Sequence, residues 1–369
     1  MCRNKIQNIR ISNVGRKAGK KPVIERIPFQ CIVPPHMLKE IAKRGDPKQR
    51  ELALKHLMIS ERIRGRREAF GEFYVATSSG AKCLNVFDAK NGQELPGVQV
   101  QDPANSTDEA VKEAFGGADA TYDMYHDVFE RTSIDDKGMC INSTVHYEEK
   151  YDNAFWDGRQ MVYGDGDGKL FNRFTISIDV IGHELTHGVT EHEAGLAYSN
   201  QSGALNESMS DVFGSLVKQR ALNQTAAGAD WLIGEGLLTS DVNGKALSSM
   251  KEPGTAYDDP VLGKDPQPAH MRDYQKLSLS EDNGGVHINS GIPNRAFCIT
   301  AMEIGGYSWE KAGKIWYITL RDRLRSRSNF QDAANKTYQV AGVMYGSGSK
   351  EQLAVKKGWS TVGITVKTK

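Results

Sequence analysis

One pentapeptide constrains this chain more than any other feature: His183-Glu184-Leu185-Thr186-His187, followed twenty residues after His187 by Glu207 in Asn206-Glu207-Ser208-Met209-Ser210-Asp211. Positions i and i+4 share one face of a helix, so both histidines turn a ring nitrogen toward one metal ion. The amphipathic spacing of Leu205, Met209, Val212, Phe213 and Leu216 predicts a second helix, which brings Glu207 as third ligand. Three protein ligands leave zinc's fourth position open, the arrangement of a catalytic site. Glu184 lies toward that side and is placed to take a proton from water. A bare His-Glu-x-x-His also recurs by chance on helices with two exposed histidines. What separates the two cases is Asp211, one turn beyond Glu207, where a carboxylate receives a ligand histidine's other N–H. Asp282-Asn283-Gly284-Gly285-Val286-His287 adds an acid and a histidine in one Gly-rich loop. Together these predict a zinc hydrolase with a single catalytic zinc.

Charge divides the chain unevenly. Residues 1–67 hold 18 Lys/Arg against 5 Asp/Glu, whereas the remainder holds 29 against 41, although the whole carries a formal charge of only +1. A basic segment docking on an acidic body is the reading preferred, because Ile27, Phe29, Ile32, Val33, Met37, Leu38, Ile41, Leu52, Leu54, Leu57 and Ile63 give residues 27–64 core-forming content. A basic arm for nucleic acid is the weaker alternative, with residues 1–22 as a loose tail; no nucleic-acid partner is expected. No apolar run reaches membrane-spanning length, and the basic N-terminus lacks the apolar stretch of a classical signal peptide. Five widely scattered cysteines (Cys2, Cys31, Cys83, Cys140, Cys298) suggest free thiols. These features favour the cytoplasm, or export by a non-classical route.

At 369 residues the chain is long enough for two packed lobes and an appendage. Short helices are predicted over 36–44 and 47–64, β-rich sequence from Glu72 to Val100, and a helix capped at Thr107-Asp108-Glu109-Ala110 running to about Phe129. Short strands surround Val145–Tyr147 and Gln160–Tyr163, and a helix from about Ile178 carries the zinc histidines. Beyond Gly203 the pattern is mainly helical, near 205–222, 289–303, 308–324 and 329–345, with 223–288 as loops walling a cleft.

The run from Tyr151 to Asp211 resembles the thermolysin family of metallopeptidases. It carries Asn153-Ala154-Phe155-Trp156, Met161-Val162-Tyr163-Gly164-Asp165-Gly166-Asp167-Gly168, the zinc motif and Gly203-Ala204-Leu205-Asn206-Glu207. Gly284-Gly285-Val286-His287-Ile288-Asn289-Ser290-Gly291 extends the likeness, and weaker similarity runs from about residue 70 to the C-terminus. Pro34-Pro35-His36-Met37-Leu38 resembles the inhibitory motif of the protealysin-like branch, which has a short prosegment. The resemblance implies an α+β fold of two lobes, β-rich then mainly helical, with the zinc helix between them and a small prosegment ahead. The corresponding boundaries are 1–60 for the prosegment (its end between 50 and 67), 68–195 for the first lobe and 196–369 for the second.

By the same resemblance, His183, His187 and Glu207 ligate zinc, Asp211 partners His183, and Asn206 partners His187. Glu184 is the general base, while Tyr198 and His287 donate to the oxyanion and Asp282 orients His287. Asn153 and Ala154 hold the substrate backbone as an added strand. Phe171, Phe174, Val180, Ile233, Leu237 and Leu247 line an apolar leaving-group pocket, which implies cleavage before bulky hydrophobic residues. Unassisted by the resemblance, Tyr198 reads equally as a core aromatic, His287 as a loop histidine and the pocket residues as core.

Three departures from the family pattern stand out. Ser248 replaces an Arg that contacts the substrate carbonyl, with Arg272 as a candidate substitute. Lys218 and Leu232 replace two carboxylates of a double calcium site, leaving Asp179, Asp230 and Glu235; since calcium wants six to eight oxygens, little or no calcium dependence follows. The rigid Pro34-Pro35 segment suits a cleft-filling inhibitor, with Cys31 or His36 as a candidate fourth zinc ligand and the stretch from Leu57 to Arg67 as the region of its removal. The leading reading is a neutral zinc endopeptidase made as a self-inhibited precursor, acting on proteins or peptides. The alternative is a catalytically weak or inactive zinc-binding homologue.

Overall fold

The computed structural model describes residues 30–70 and 81–367. The tail at 1–22, Ile27, Phe29 and the start of the β-rich stretch at 72–80 lie outside the described residues. The chain enters as a two-residue strand, β1 (Gln30–Cys31), and turns at Pro34 into α1 (Pro35–Arg44). Proline at the first helical position costs nothing there, because its missing N–H has no helical partner. Met37, Leu38 and Ile41 form the buried stripe of α1. A second helix, α2 (Pro47–Phe70), follows after Gly45-Asp46.

The catalytic body begins with β2 (Leu84–Asp88) and β3 (Val98–Gln99), then α3 (Glu109–Phe129). The Asp108 carboxylate caps α3 by accepting the Ala110 amide at 2.9 Å. Next come β4 (Ile141–Val145), β5 (Ala154–Trp156) and β6 (Met161–Tyr163). The six strands order as β1-β5-β6-β4-β2-β3, with β2, β4 and β6 mutually parallel and β5 antiparallel to β6. β1 therefore lies on the sheet's outer edge, antiparallel to β5, with Cys31 opposite Phe155. Without it, β5 would present unpaired backbone along one side.

The zinc-motif helix α4 (Ile178–His192) packs against α5 (Asn200–Ala221) at unusually close range. Glycines permit this: a Cβ on Gly182 would stand 3.0 Å from Gly214 Cα, and one on Gly214 would collide with Asp179 O. The stretch 223–281 is loop with a 3-10 turn (Met271–Asp273) and four two-residue strands, β7 (Leu232–Ile233), β8 (Ser248–Ser249), β9 (Asp258–Asp259) and β10 (Gly263–Lys264). Helices α6 (Asp282–Asn289), α7 (Gly291–Ile304), α8 (Ala312–Ile318), α9 (Phe330–Tyr345) and α10 (Lys350–Thr361) complete the second lobe. Its core is aromatic, with Phe297 edge-on to Trp316 and Trp316 stacked on Trp359.

Several sequence expectations need correction. The Gly-rich segment at Asp282–His287 is a kinked helix rather than a loop, with left-handed backbone at Asn283, Gly284 and Gly285. The helix expected over 308–324 narrows to α8 followed by a π turn at Thr319–Arg323. α10 was not anticipated, although Ser349 caps it by accepting the Gln352 amide, a pairing readable from Ser-x-x-Gln. The cysteines are not all free thiols: Cys83 and Cys140 form a disulfide. The reason lies in register. Leu84 pairs with Ile141 in adjacent parallel strands, so the residues just before them meet despite a separation of 57 in sequence. Cys31 and Cys298 are buried.

Candidate active site

α4 and α5 bring His183, His187 and Glu207 together, with one ligand atom from each lying within 4.8 Å of the others. The two Nε2 atoms stand 3.0 Å apart, and Glu207 oxygens lie 3.4 Å from that of His183 and 3.6 Å from that of His187. All three side chains are buried. Each ring's other nitrogen is held: His183 Nδ1–H donates to Asp211 Oδ1 at 2.8 Å, and His187 Nδ1–H donates to Asn206 Oδ1 at 2.8 Å. The Asn206 amide is itself fixed, since its Nδ2 donates to Leu196 O. Both imidazoles thus turn Nε2 toward one point, and with one carboxylate the donor set fits zinc. Neither Cys31 nor His36 belongs to this cluster among the described residues.

Electrostatics separate the groups further. Burial holds the His187 ring down to about 3, which keeps it neutral and available as a ligand. For Glu207, burial opposes ionisation, but His287, His187 and His183 outweigh it and lower its pKa. Glu184 is wholly buried, and that desolvation raises its carboxyl to about 8. Its Oε2 accepts the Trp156 amide at 3.0 Å, while Oε1 has no partner among the described residues. A basic oxygen left without a partner beside the ligand cluster suits proton transfer.

Tyr198 and His287 converge from opposite sides. The Tyr198 hydroxyl contacts Glu207 Oε1 and lies 3.0 Å from His287 Nε2. Asp282 grips His287 twice, at Nδ1 through Oδ1 and at the backbone amide through Oδ2, the latter at 2.9 Å. The kink of α6 makes this double grip feasible by folding Asp282 back over the turn that carries His287. A side chain at Gly285 would be strained in that turn, because its φ of +81° lies in the left-handed region and a Cβ would crowd Asn289 Nδ2 at 2.7 Å. Burial opposes charge on His287, but Asp282 and Glu207 prevail and raise its pKa to about 9.

Asn153 and Ala154 sit on the cleft edge, and β1 uses them. Ile32 N donates to Ala154 O at 3.2 Å, and Val33 N donates to Asn153 Oδ1 at 2.9 Å. Ile32, Pro34 and His36 face a cavity bounded by His183, Glu207, Ile233 and Leu247. Met37 and Leu38 are buried in the core beside it. Of the six predicted pocket residues, Ile233 and Leu247 line that cavity; Phe171, Phe174, Val180 and Leu237 lie behind them in the same apolar cluster.

Ser248 lines the cavity where an Arg was expected. Arg272 does not replace it: its side chain is 76% exposed and pairs with Asp273. Lys218 Nζ lies 2.8 Å from Asp230, 2.9 Å from Glu235 and 3.6 Å from Asp179. Asp165, in the Gly-Asp run, pairs with His146. Two contributors escaped the sequence reading. Asn294 Nδ2 donates to Asp211 Oδ2 at 2.7 Å, and Ser210 Oγ lies 3.0 Å from His187 Nδ1. Ser210 was in view beside Asp211; Asn294, 83 residues away, gave no local signal.

A buried His-His-Glu donor set that fits zinc, with the Glu184 carboxyl beside it, is the chemistry of a zinc hydrolase. Comparison with known proteins agrees. Residues 63–191 match the thermolysin metallopeptidase catalytic domain, and residues 194–364 match its alpha-helical domain. An extracellular metalloprotease of Pectobacterium carotovorum subsp. carotovorum is 48% identical over 343 residues, 92% of this chain and 98% of that protein. Protease PrtS of Photorhabdus sp. (strain Az29) is 47% identical, covering 92% of this chain and 93% of its own length. The solved precursor of protealysin, a metalloproteinase from Serratia proteamaculans, superposes with a TM-score of 0.83 at 50% identity, covering 91% of this chain and all of that one. The chain belongs to the thermolysin family of zinc metallopeptidases. Within it, the protein is a neutral metalloprotease in a protealysin-like precursor form.

Proposed function

We propose that this chain is a self-inhibited endopeptidase that hydrolyses peptide bonds before bulky hydrophobic residues. The observation that carries the reading is β1, which with Ile32 and Val33 occupies Asn153 and Ala154 as an added strand and leaves Ile32 facing the same cavity as Ile233 and Leu247. A substrate would pair with the same backbone groups and place its first leaving-side residue where Ile32 lies.

His183, His187 and Glu207 would hold the metal. Bound there, zinc supplies Lewis acidity for the carbonyl and lowers the pKa of water. Glu184 takes a proton from the attacking water and passes it to the leaving amine, a transfer suited to a carboxyl raised toward neutrality. Tyr198 and His287 donate to the oxygen that gains charge, with Asp282 keeping the His287 Nδ1 proton in place. Asp211 and Asn206 hold both ligand rings in one tautomer.

The prosegment is residues 1 to about 60, with catalytic lobes at 68–195 and 196–369, and it leaves by cleavage near Leu57–Arg67. Lys218 carries its own cation into the Asp179–Asp230–Glu235 cluster, so this region needs no calcium. Action outside the cytoplasm is supported by the Cys83–Cys140 disulfide, a bond that persists in oxidising surroundings, and by the relative named as extracellular. Mass mapping of the cuts made in an unfolded protein tests the function. The expected result is chelator-sensitive cleavage before Leu, Ile or Phe. A zinc-loaded protein freed of its first 67 residues that cuts nothing would return the catalytically inactive reading.

A further inference from the structure

The cavity that Ile32, Pro34 and His36 face, about 30 Å³, is lined by both apolar and polar side chains. Ile233 and Leu247 are apolar, and Ser248, Tyr257, Asp265 and Gln267 are polar groups beside His183, Glu207 and His287. No lysine or arginine is among the described residues lining it, whereas Asp265 sits there 4% exposed. The Asp265 oxygens accept amides from Gly254 and Gln267, each at 3.0 Å, which hold the carboxylate in the wall. Gln267 commits its Nε2 to His287 O at 2.8 Å and to Ser290 Oγ at 3.2 Å. That fixes the amide and leaves Oε1 buried, with no partner among the described residues. Gln267 Oε1 is thus an unpaired acceptor in this wall, and a buried acceptor left unpaired is costly.

One side chain of this protein already enters. His36 projects from the first turn of α1, and its Nε2 lies 3.3 Å from the Tyr257 hydroxyl. Its Nδ1 is buried without a partner among the described residues. A leucine would fill such a cavity as well if it were only apolar.

We propose that Tyr257, Asp265 and Gln267 form a polar subsite on the leaving-group side, kept open by the short Ser248 side chain. It binds a substrate side chain that carries a hydrogen-bond donor, such as His, Asn, Gln or Lys. In the precursor His36 fills it, so one subsite serves both substrate choice and latency. The proposal rests on the peptidase reading above.

Two arms test it. In the first, hydrogen exchange at the Ile32 and Val33 amides is followed in full-length Glu184→Ala protein, which needs no turnover. His36→Leu should speed that exchange by about tenfold, the scale of one buried hydrogen bond, whereas His36→Asn, which keeps a donor, should stay near the parent. Combining His36→Leu with Tyr257→Phe should add little to either change alone. Equal exchange in His36→Leu and His36→Asn, or fully additive effects, would overturn the subsite.

In the second arm, the processed enzyme cuts a peptide mixture randomised on the leaving-group side. Donor-bearing residues should be enriched over Leu and Met by about fivefold at one position beyond the first. Gln267→Met and Ser248→Arg should each collapse that ratio, which is taken within one enzyme and so does not depend on its overall rate. Cleavage with no enrichment would overturn the subsite while sparing the peptidase. No cleavage at all would overturn the peptidase reading, and the exchange arm would still decide whether the subsite exists.

Discussion

The segment before residue 70 and the body after it are held together by different means. In the body, side-chain pairs link one helix to the next: Asn294 Nδ2 holds Asp211, which holds His183, and Lys218 faces three carboxylates. At the prosegment's face, ring nitrogens of His36 and His56 are buried with no partner among the described residues. His56 on α2 is fully buried edge-on to Tyr151, with Asp152 Oδ2 3.7 Å away and no hydrogen bond to its ring among the described residues. Most of the grip comes instead from backbone pairing along β5 and from apolar packing of Cys31 and Ile59 on Tyr147, Phe155 and Val162. Side-chain networks of that kind rigidify a permanent core. A face held by apolar packing and a short run of backbone pairing suits a part that must leave.

The largest test of the contrast is at Glu184. Its replacement by Ala should lower kcat by about 10²- to 10⁴-fold, the range for losing a general base, with zinc content unchanged by metal analysis. Next, Lys218→Met should cost about 3–5 kcal/mol by thermal unfolding, because it leaves acidic groups facing one another. Added calcium should recover part of that loss in the variant and do nothing for the parent. A smaller effect is expected at Ile32, buried at 5% exposure. Ile32→Asp should weaken the latch by roughly 2 kcal/mol and shorten processing about thirtyfold, read as loss of the N-terminal segment by mass spectrometry.

The smallest effect is a difference of sign with pH. Burial lowers His56 to about 4, repulsion from Lys55 adds to it, and Asp167 and Glu148 oppose it. Its contribution is therefore present above about pH 6.5 and lost as pH falls toward 4. His146 in the body is the reverse. The hydrogen bond its ring donates to Asp165, with Asp108 accepting from the other ring nitrogen, raises it to about 9. Its contribution is complete below about pH 6.5 and lost as pH rises through 9. Melting temperatures of the Glu184→Ala precursor across pH should lose their acid slope with His56→Phe and their alkaline slope with His146→Asn. Asp152, raised by its own burial, loses its contribution as pH rises from the ordinary carboxylate range, so the His56 effect is read as the difference between parent and His56→Phe.

The site was legible because its key residues are local. His183, Glu184 and His187 lie within two turns of one helix, and Asn206, Glu207 and Asp211 within two turns of the next, so helical periodicity alone brings them together. The kinked α6 was harder to read, since three left-handed residues in succession look like a loop by composition. The disulfide depended on strand register and Asn294 on the packing of α7 over α5, neither of which has a local signature. The failure of Arg272 is similar, because sequence proximity to the cleft loops says nothing of where a side chain ends.

The account centres on β1 lying where a substrate strand would lie. The most direct measurement is a time course of peptide hydrolysis by freshly purified full-length protein, run beside mass analysis of its N-terminus. The account predicts a lag that ends as the N-terminal segment is lost, with lag and activity both absent in Glu184→Ala or with a chelator. Full hydrolysis from the first moment by protein whose N-terminal segment is intact would contradict it.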